Sequence, residues 1–128
     1  MKTYNNKKLG NTVEKEFAQK MHKAGWWVHL LADKIHGQPL DCIMTNHGVT
    51  WFIDIKNVKS GETFDLSRIE DNQMNSMIML WNTGIRTVGF AIKFDDGWYI
   101  LVLNKINFNE KQINKQVMRK IEDVFTLK

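Results

Sequence analysis

The sequence predicts an α/β fold in which helices flank a mixed β-sheet, in the order α-β-β-β-α-β-β-α. Three observations predict it. Apolar residues recur at three- and four-residue spacing in separate segments, and compact apolar runs of strand length lie between those segments. Two short Gly-ending connections, Asn46-His47-Gly48 and Asp95-Asp96-Gly97, join pairs of such runs into hairpins. Because each helix carries one apolar stripe, each must bury it against the sheet.

The first helix is expected over Thr12 to Ala24, where Val13, Phe17, Met21 and Ala24 share a face, with Asn11 or Thr12 as cap and Gly25 as stop. Trp26 to Leu31 is a compact apolar run and reads as a buried strand, followed by a polar loop from Asp33 to Gln38. Leu40 to Thr45 and Val49 to Ile55 form a β-hairpin in which Asn46 and Gly48 supply the positive φ angles. Ser67-Arg68-Ile69-Glu70 has the form of a capping box and opens a helix through Met74, Met77, Ile78 and Trp81 that stops near Gly84, its Met-rich stripe facing the core. Thr87 to Phe94 and Trp98 to Leu103 are the next strands. Glu110 to Phe125, with Ile113, Val117, Ile121 and Val124 at helical spacing, is the last helix.

At 128 residues the chain has the length of one domain, 1–128, so a catalytic centre would share its core with the scaffold. No apolar run reaches the ~18 residues that cross a bilayer, and the N-terminal MKTYNNKKLG lacks a signal-peptide core, so a soluble, cytoplasmic protein is expected. Cys42 is the one cysteine, which excludes an internal disulfide and argues against a closed zinc site. Lys and Arg exceed Asp and Glu by 18 to 14, a balance that suits a polyanionic partner. Lys111, Lys115, Arg119 and Lys120 read equally well as a binding face or a solvated one on the last helix.

The chemistry-bearing residues fall on the first hairpin. Side chains alternate along a strand, so Asp54 and Lys56 of Asp54-Ile55-Lys56 project from one face, and Asp41 at the start of the partner strand returns beside them. Two adjacent carboxylates raise each other's pKa, and a divalent cation with oxygen ligands relieves that repulsion, so Mg²⁺ is the expected occupant, with Mn²⁺ able to substitute. The implied reaction is phosphodiester hydrolysis, with Lys56 orienting a water or offsetting charge on phosphorus. A surface salt bridge at a strand end is the competing reading of the same residues.

At these residues the sequence resembles the PD-(D/E)XK nucleases, whose restriction-endonuclease-like core runs α-β-β-β-α-β with catalytic carboxylates on the middle hairpin. The block Phe52-Ile53-Asp54-Ile55-Lys56-Asn57-Val58-Lys59, then Thr63-Phe64-Asp65-Leu66 and Gln73, looks like that of RecU-like Holliday junction resolvases. Gly10-Asn11-Thr12-Val13-Glu14 resembles the start of the first helix in RecU-like and archaeal resolvases. The resemblance covers about residues 8 to 105. It implies Asp41, Asp54 and Glu14 as metal ligands, Lys56 as catalytic lysine and Gln73 as a polar group facing the site. Read without it, Glu14 is a favourable charge in a helix first turn and Gln73 a solvated helix residue. Three departures stand out: Pro39-Leu40-Asp41 replaces Pro-Asp, Asp54 stands where RecU-like proteins have Glu, and only Ala32 to Leu40 replaces their long stalk insertion. The last brings the chain closer to archaeal resolvases.

The implied function is paired symmetric cleavage of four-way DNA junctions by a homodimer, with Trp81, Phe90, Trp98 or the last helix as candidates for the interface. Lys7, Lys8, Lys59 and Arg68 are the candidate phosphate contacts, and the Ala32 to Gln38 loop, with His36 as a candidate base, is a candidate junction contact. Two alternatives remain: another PD-(D/E)XK DNA nuclease, restriction-like or serving replication and repair, and a non-catalytic DNA-binding module.

Overall fold

A computed structural model describes residues 2–31 and 40–125, with side chains from residue 12 onward. The first helix, α1, spans Lys2–Lys23, ten residues earlier than its apolar spacing indicates. No Pro interrupts that stretch, and a single interior Gly10 costs only ~1 kcal/mol relative to Ala. Its end is a Schellman motif: Gly25 turns left-handed, its amide bonds to the His22 carbonyl, and the Trp26 amide bonds to that of Met21. The chain then enters β1, Trp27–Leu30.

Strands β2 (Cys42–Asn46) and β3 (Val49–Asn57) form the expected hairpin, but the positive φ angles belong to His47 and Gly48, while Asn46 pairs with Val49 inside the ladder. A two-residue turn of this kind needs both central residues left-handed, so the turn sits one position later than expected. After β4 (Thr63–Asp65) and a 3₁₀ turn at Leu66–Arg68, helix α2 runs Asp71–Asn82 and ends in a second Schellman motif at Gly84. Strands β5 (Val88–Phe94) and β6 (Gly97–Val102) form the second hairpin, and β3 lies parallel to β5. Gly89 lets the backbones of β5 and β6 meet, since a Cβ there would fall 2.3 Å from the Leu101 carbonyl oxygen.

The expected long C-terminal helix is absent. Its residues form β7 (Gln112–Asn114), a 3₁₀ turn, β8 (Arg119–Lys120) and a five-residue α3, Ile121–Phe125. The helical spacing of Ile113, Val117 and Ile121 is overridden by pairing: Ile113 sits opposite Phe64 as β7 completes a two-stranded sheet with β4, and β8 adds to the edge of β6. The Asn114 side chain accepts from the Gln116 amide, which favours a turn over a continuing helix. Lys111, Lys115, Arg119 and Lys120 therefore share no helix face, and Lys115 is tied to Asp96 at 3.0 Å.

The main sheet has the order β1-β2-β3-β5-β6-β8. One face packs Phe17 and Met21 of α1 and Ile121 and Phe125 of α3 against Cys42, Met44, Trp51, Ile53 and Ile100. The other packs α2, the small sheet and the connections after β6 against Val88, Phe90, Ile92 and Leu101. Phe90 and Trp98 are core residues. Strand β1 is not the fully buried strand expected: it lies at the sheet edge, Val28 and Leu30 pack inward, and Trp27 on the other face is 58% exposed. The stripe of α2 meets the core through Met77, with Met74 and Trp81 packed against it, but Ile78 is exposed. Among the described residues no helix is long and apolar enough to cross a membrane.

Candidate active site

Alternation along β3 sends Ile53 and Ile55 into the α1 side of the core and leaves Asp54 and Lys56 on the opposite face. The parallel neighbour there is β5, with Asp54 level with Phe90, so a carboxylate is placed deep against an apolar strand. Asp54 is fully buried and Gln73 nearly so; no other polar or charged residue among those described is buried.

Gln73 occupies the third position of α2, and its amide ties the helix to β3. Its Nε2 donates to Asp54 Oδ1 at 3.0 Å, and its Oε1 accepts from Lys56 Nζ at 3.2 Å and from the Glu70 amide at 3.2 Å. Glu70 returns the bond, its side chain accepting from the Gln73 amide, so the capping box is Glu70-x-x-Gln73 rather than Ser67-x-x-Glu70. Ser67 instead opens the 3₁₀ turn, its amide donating to Asp65 Oδ1. A helix cap and a buried carboxylate thus share one glutamine.

Asp41 immediately precedes β2, the other strand of the hairpin. Its amide bonds to the Ile53 carbonyl, and its Oδ2 accepts from the Ile55 amide at 2.8 Å, which holds its carboxylate beside that of Asp54. Lys56 Nζ lies 3.1 Å from Asp54 Oδ2. That contact is an ion pair without hydrogen-bond direction, since Oδ2 is buried with no hydrogen-bond partner. Burial pushes the Asp54 carboxyl up to about 8, the adjacent Asp41 carboxyl adds to the rise, and Lys56 only partly offsets it. Gln73 holds one oxygen and Lys56 faces the other, and burial disfavours the negative charge that a bound cation would stabilise.

The other expected residues are placed less centrally. Glu14 on α1 is near enough that its charge, with that of Asp41, reinforces the effect of burial in raising the Cys42 thiol to about 12. Among the described residues no three His, Cys, Asp or Glu side chains close into one metal-ligating group, so Glu14 does not meet Asp41 and Asp54 at a common point here. Lys59 is exposed just beyond β3. Arg68 donates to the Asn57 carbonyl at 2.7 Å and lies over the Phe64 ring, so it braces the end of β3. The side chains of Lys7 and Lys8 and the whole Ala32 to Gln38 loop with His36 lie outside the described residues.

In the sequence Glu70 reads as the end of a box opened by Ser67 rather than as the cap itself; the signal for its role was Glu70-x-x-Gln73. Trp27 and His29 were also missed as surface groups. They stack with ring centroids 5.9 Å apart and planes 8° from parallel, visible only once β1 is known to be an edge.

No family model and no curated protein matches the sequence. Among solved structures, the chain is similar to Hjc of Archaeoglobus fulgidus, a Holliday junction resolvase from an archaeal hyperthermophile. The TM-score is 0.70 at 18% identity, over 89% of this chain and 98% of that one. The two share a fold: a mixed sheet flanked by helices in the arrangement of an archaeal resolvase, as the sequence resemblance implies.

Proposed function

We propose that this chain is a divalent-metal-dependent DNA endonuclease that resolves four-way junctions, acting as a homodimer to make two symmetric nicks. The observation that carries the proposal is the buried Asp54, its Oδ2 without a hydrogen-bond partner and held beside Asp41 and Lys56, on the fold of an archaeal junction resolvase.

The residues fit a hard cation such as Mg²⁺. One or two carboxylates with waters and substrate phosphate are its usual ligands, and Asp41 and Asp54 supply that pair, with Glu14 as a further acidic group acting from α1. When bound, the ion supplies a polarised phosphoryl oxygen and an acidified water. The chain's own residues do the rest. Asp54, ionised, would help hold the ion, while Gln73 keeps Oδ1 engaged and so orients the carboxylate. Lys56, held by the other end of the same amide, offsets negative charge building on the phosphorus or orients the attacking water. Lys59, with Lys7 and Lys8, supplies phosphate contacts beside the site. Arg68 adds to them only by leaving its carbonyl partner.

The test is cleavage of a labelled four-way junction against matched linear duplex, in Mg²⁺ or Mn²⁺ and in EDTA, by the wild type and Asp54→Asn. Symmetric nicking of the junction alone, requiring both metal and Asp54, is the expected result. Equal cutting of linear duplex would leave a nuclease of another specificity, and cutting of neither would return the chain to the DNA-binding modules.

A further inference from the structure

The face of the sheet that carries Asp54 and Lys56 continues across β2 to β1. Cross-strand pairing places Trp27 opposite Thr45 and Thr45 opposite Thr50; likewise His29 faces Ile43, and Ile43 faces Phe52. These side chains share one face, because their neighbours Val28, Leu30, Met44 and Ile53 all pack on the α1 side. Helix α2 lies over β5, and among the described residues Trp27 and His29 are exposed on this half of the face and the other four are half-buried.

We infer that Trp27 and His29 form a stacking platform for unpaired nucleobases of the branched substrate, set on the same sheet face as Asp54 and Lys56. The inference rests on the proposed nuclease reading and names the part of the DNA that this face takes. Two aromatic rings at alternate positions of one strand, stacked nearly parallel and open to solvent, leave an outer π-face to a base of any sequence. None of the six positions is acidic, so nothing on the platform repels a polyanion, and the chain carries a net charge of +4. Distance fits as well. Counting ~4.8 Å between strands and ~3.4 Å per residue, Asp54 lies about 12 Å from His29 and about 17 Å from Trp27. At ~3.4 Å per nucleotide along a strand, that is within about five nucleotides of the cleaved bond. A duplex keeps its bases stacked inside and cannot use the platform; a branch point or opened arm can.

The probe is oligothymidylate, with a matched duplex as control, bound in EDTA by the wild type, Trp27→Ala, Trp27→Phe and His29→Ala. Trp27 is exposed, so its truncation leaves the fold intact, and Trp27→Phe keeps a stacking ring should Trp27→Ala prove unstable. Oligothymidylate should quench tryptophan fluorescence in the wild type, and Trp27→Phe should lose most of that quench. Trp27→Ala should bind oligothymidylate about tenfold more weakly, Trp27→Phe should recover most of the affinity, and duplex binding should change less than twofold. Equal affinity of wild type and Trp27→Ala for oligothymidylate would overturn the inference. So would a shift from dimer to monomer in sedimentation of Trp27→Ala, which would make this face a contact with a second copy. Junction cleavage separates the two readings. Cleavage with an unaltered Trp27→Ala discards the platform alone, and a Trp27-dependent quench in a protein that cuts nothing discards the nuclease alone.

Discussion

Asp54→Asn should make the metal-free protein more stable, although it removes the group on which cleavage is proposed to depend. In the folded chain the Asp54 carboxyl is pushed up to about 8 from an ordinary 3.8, burial being the largest cause. A raised carboxyl pKa contributes stability that is fully present below the unfolded value and is lost as pH rises through the folded one. At pH 7 the unfolded chain has released this proton and the folded chain has not. With about 1.4 kcal/mol for each pH unit above 3.8, the native state forgoes about 4 kcal/mol relative to acid conditions. Asparagine is neutral at every pH and nearly isosteric; its Oδ1 can still accept from Gln73, and its amide can donate to Asp41 once the mobile Lys56 ammonium turns away from it. The variant should therefore exceed the wild type by about 4 kcal/mol at pH 7 and by under about 2 kcal/mol at pH 5. Urea denaturation in EDTA at the two pH values measures both gaps, and subtracting one protein from the other cancels the other titrating groups. Adding Mg²⁺ should then raise wild-type stability by mass action and leave Asp54→Asn nearly unchanged. A variant no more stable than wild type at pH 7, or a gap that does not shrink at pH 5, would refute the reasoning.

Gln73→Ala leaves Asp54 Oδ1 and Lys56 without their shared partner and should cost about 1–3 kcal/mol by denaturant melt, with a larger loss in kcat than in KM. Gly89→Ala forces a methyl against the Leu101 carbonyl and should lower stability by about 3 kcal/mol or more, or prevent folding, as read by circular dichroism. Cys42, fully buried with its thiol pushed up to about 12, should resist alkylation at pH 8 in the native protein and react promptly in urea; prompt native labelling would contradict its placement.

The sequence by itself determined most of the scaffold, because the features that set it are local. Helix stops at Gly25 and Gly84, the hairpin turns near Gly48 and Gly97, and alternation along β3 each depend on a few neighbouring residues, and with them the sharing of one face by Asp54 and Lys56. Where local pattern and long-range pairing compete, the pattern misled. Ile113, Val117 and Ile121 have helical spacing, yet β4 needed a partner for its edge and β7 provided one. Trp26 to Leu31 is apolar enough for a central strand, but sheet order put β1 at the rim and left Trp27 in solvent. The candidate site divides along the same line. Strand periodicity placed Asp54 and Lys56 together; only tertiary structure decided that α2 would bring Gln73 onto both of them. Only burial against β5 decided that the Asp54 carboxyl would be pushed up, because desolvation depends on what packs around a carboxylate rather than on its neighbours in the chain.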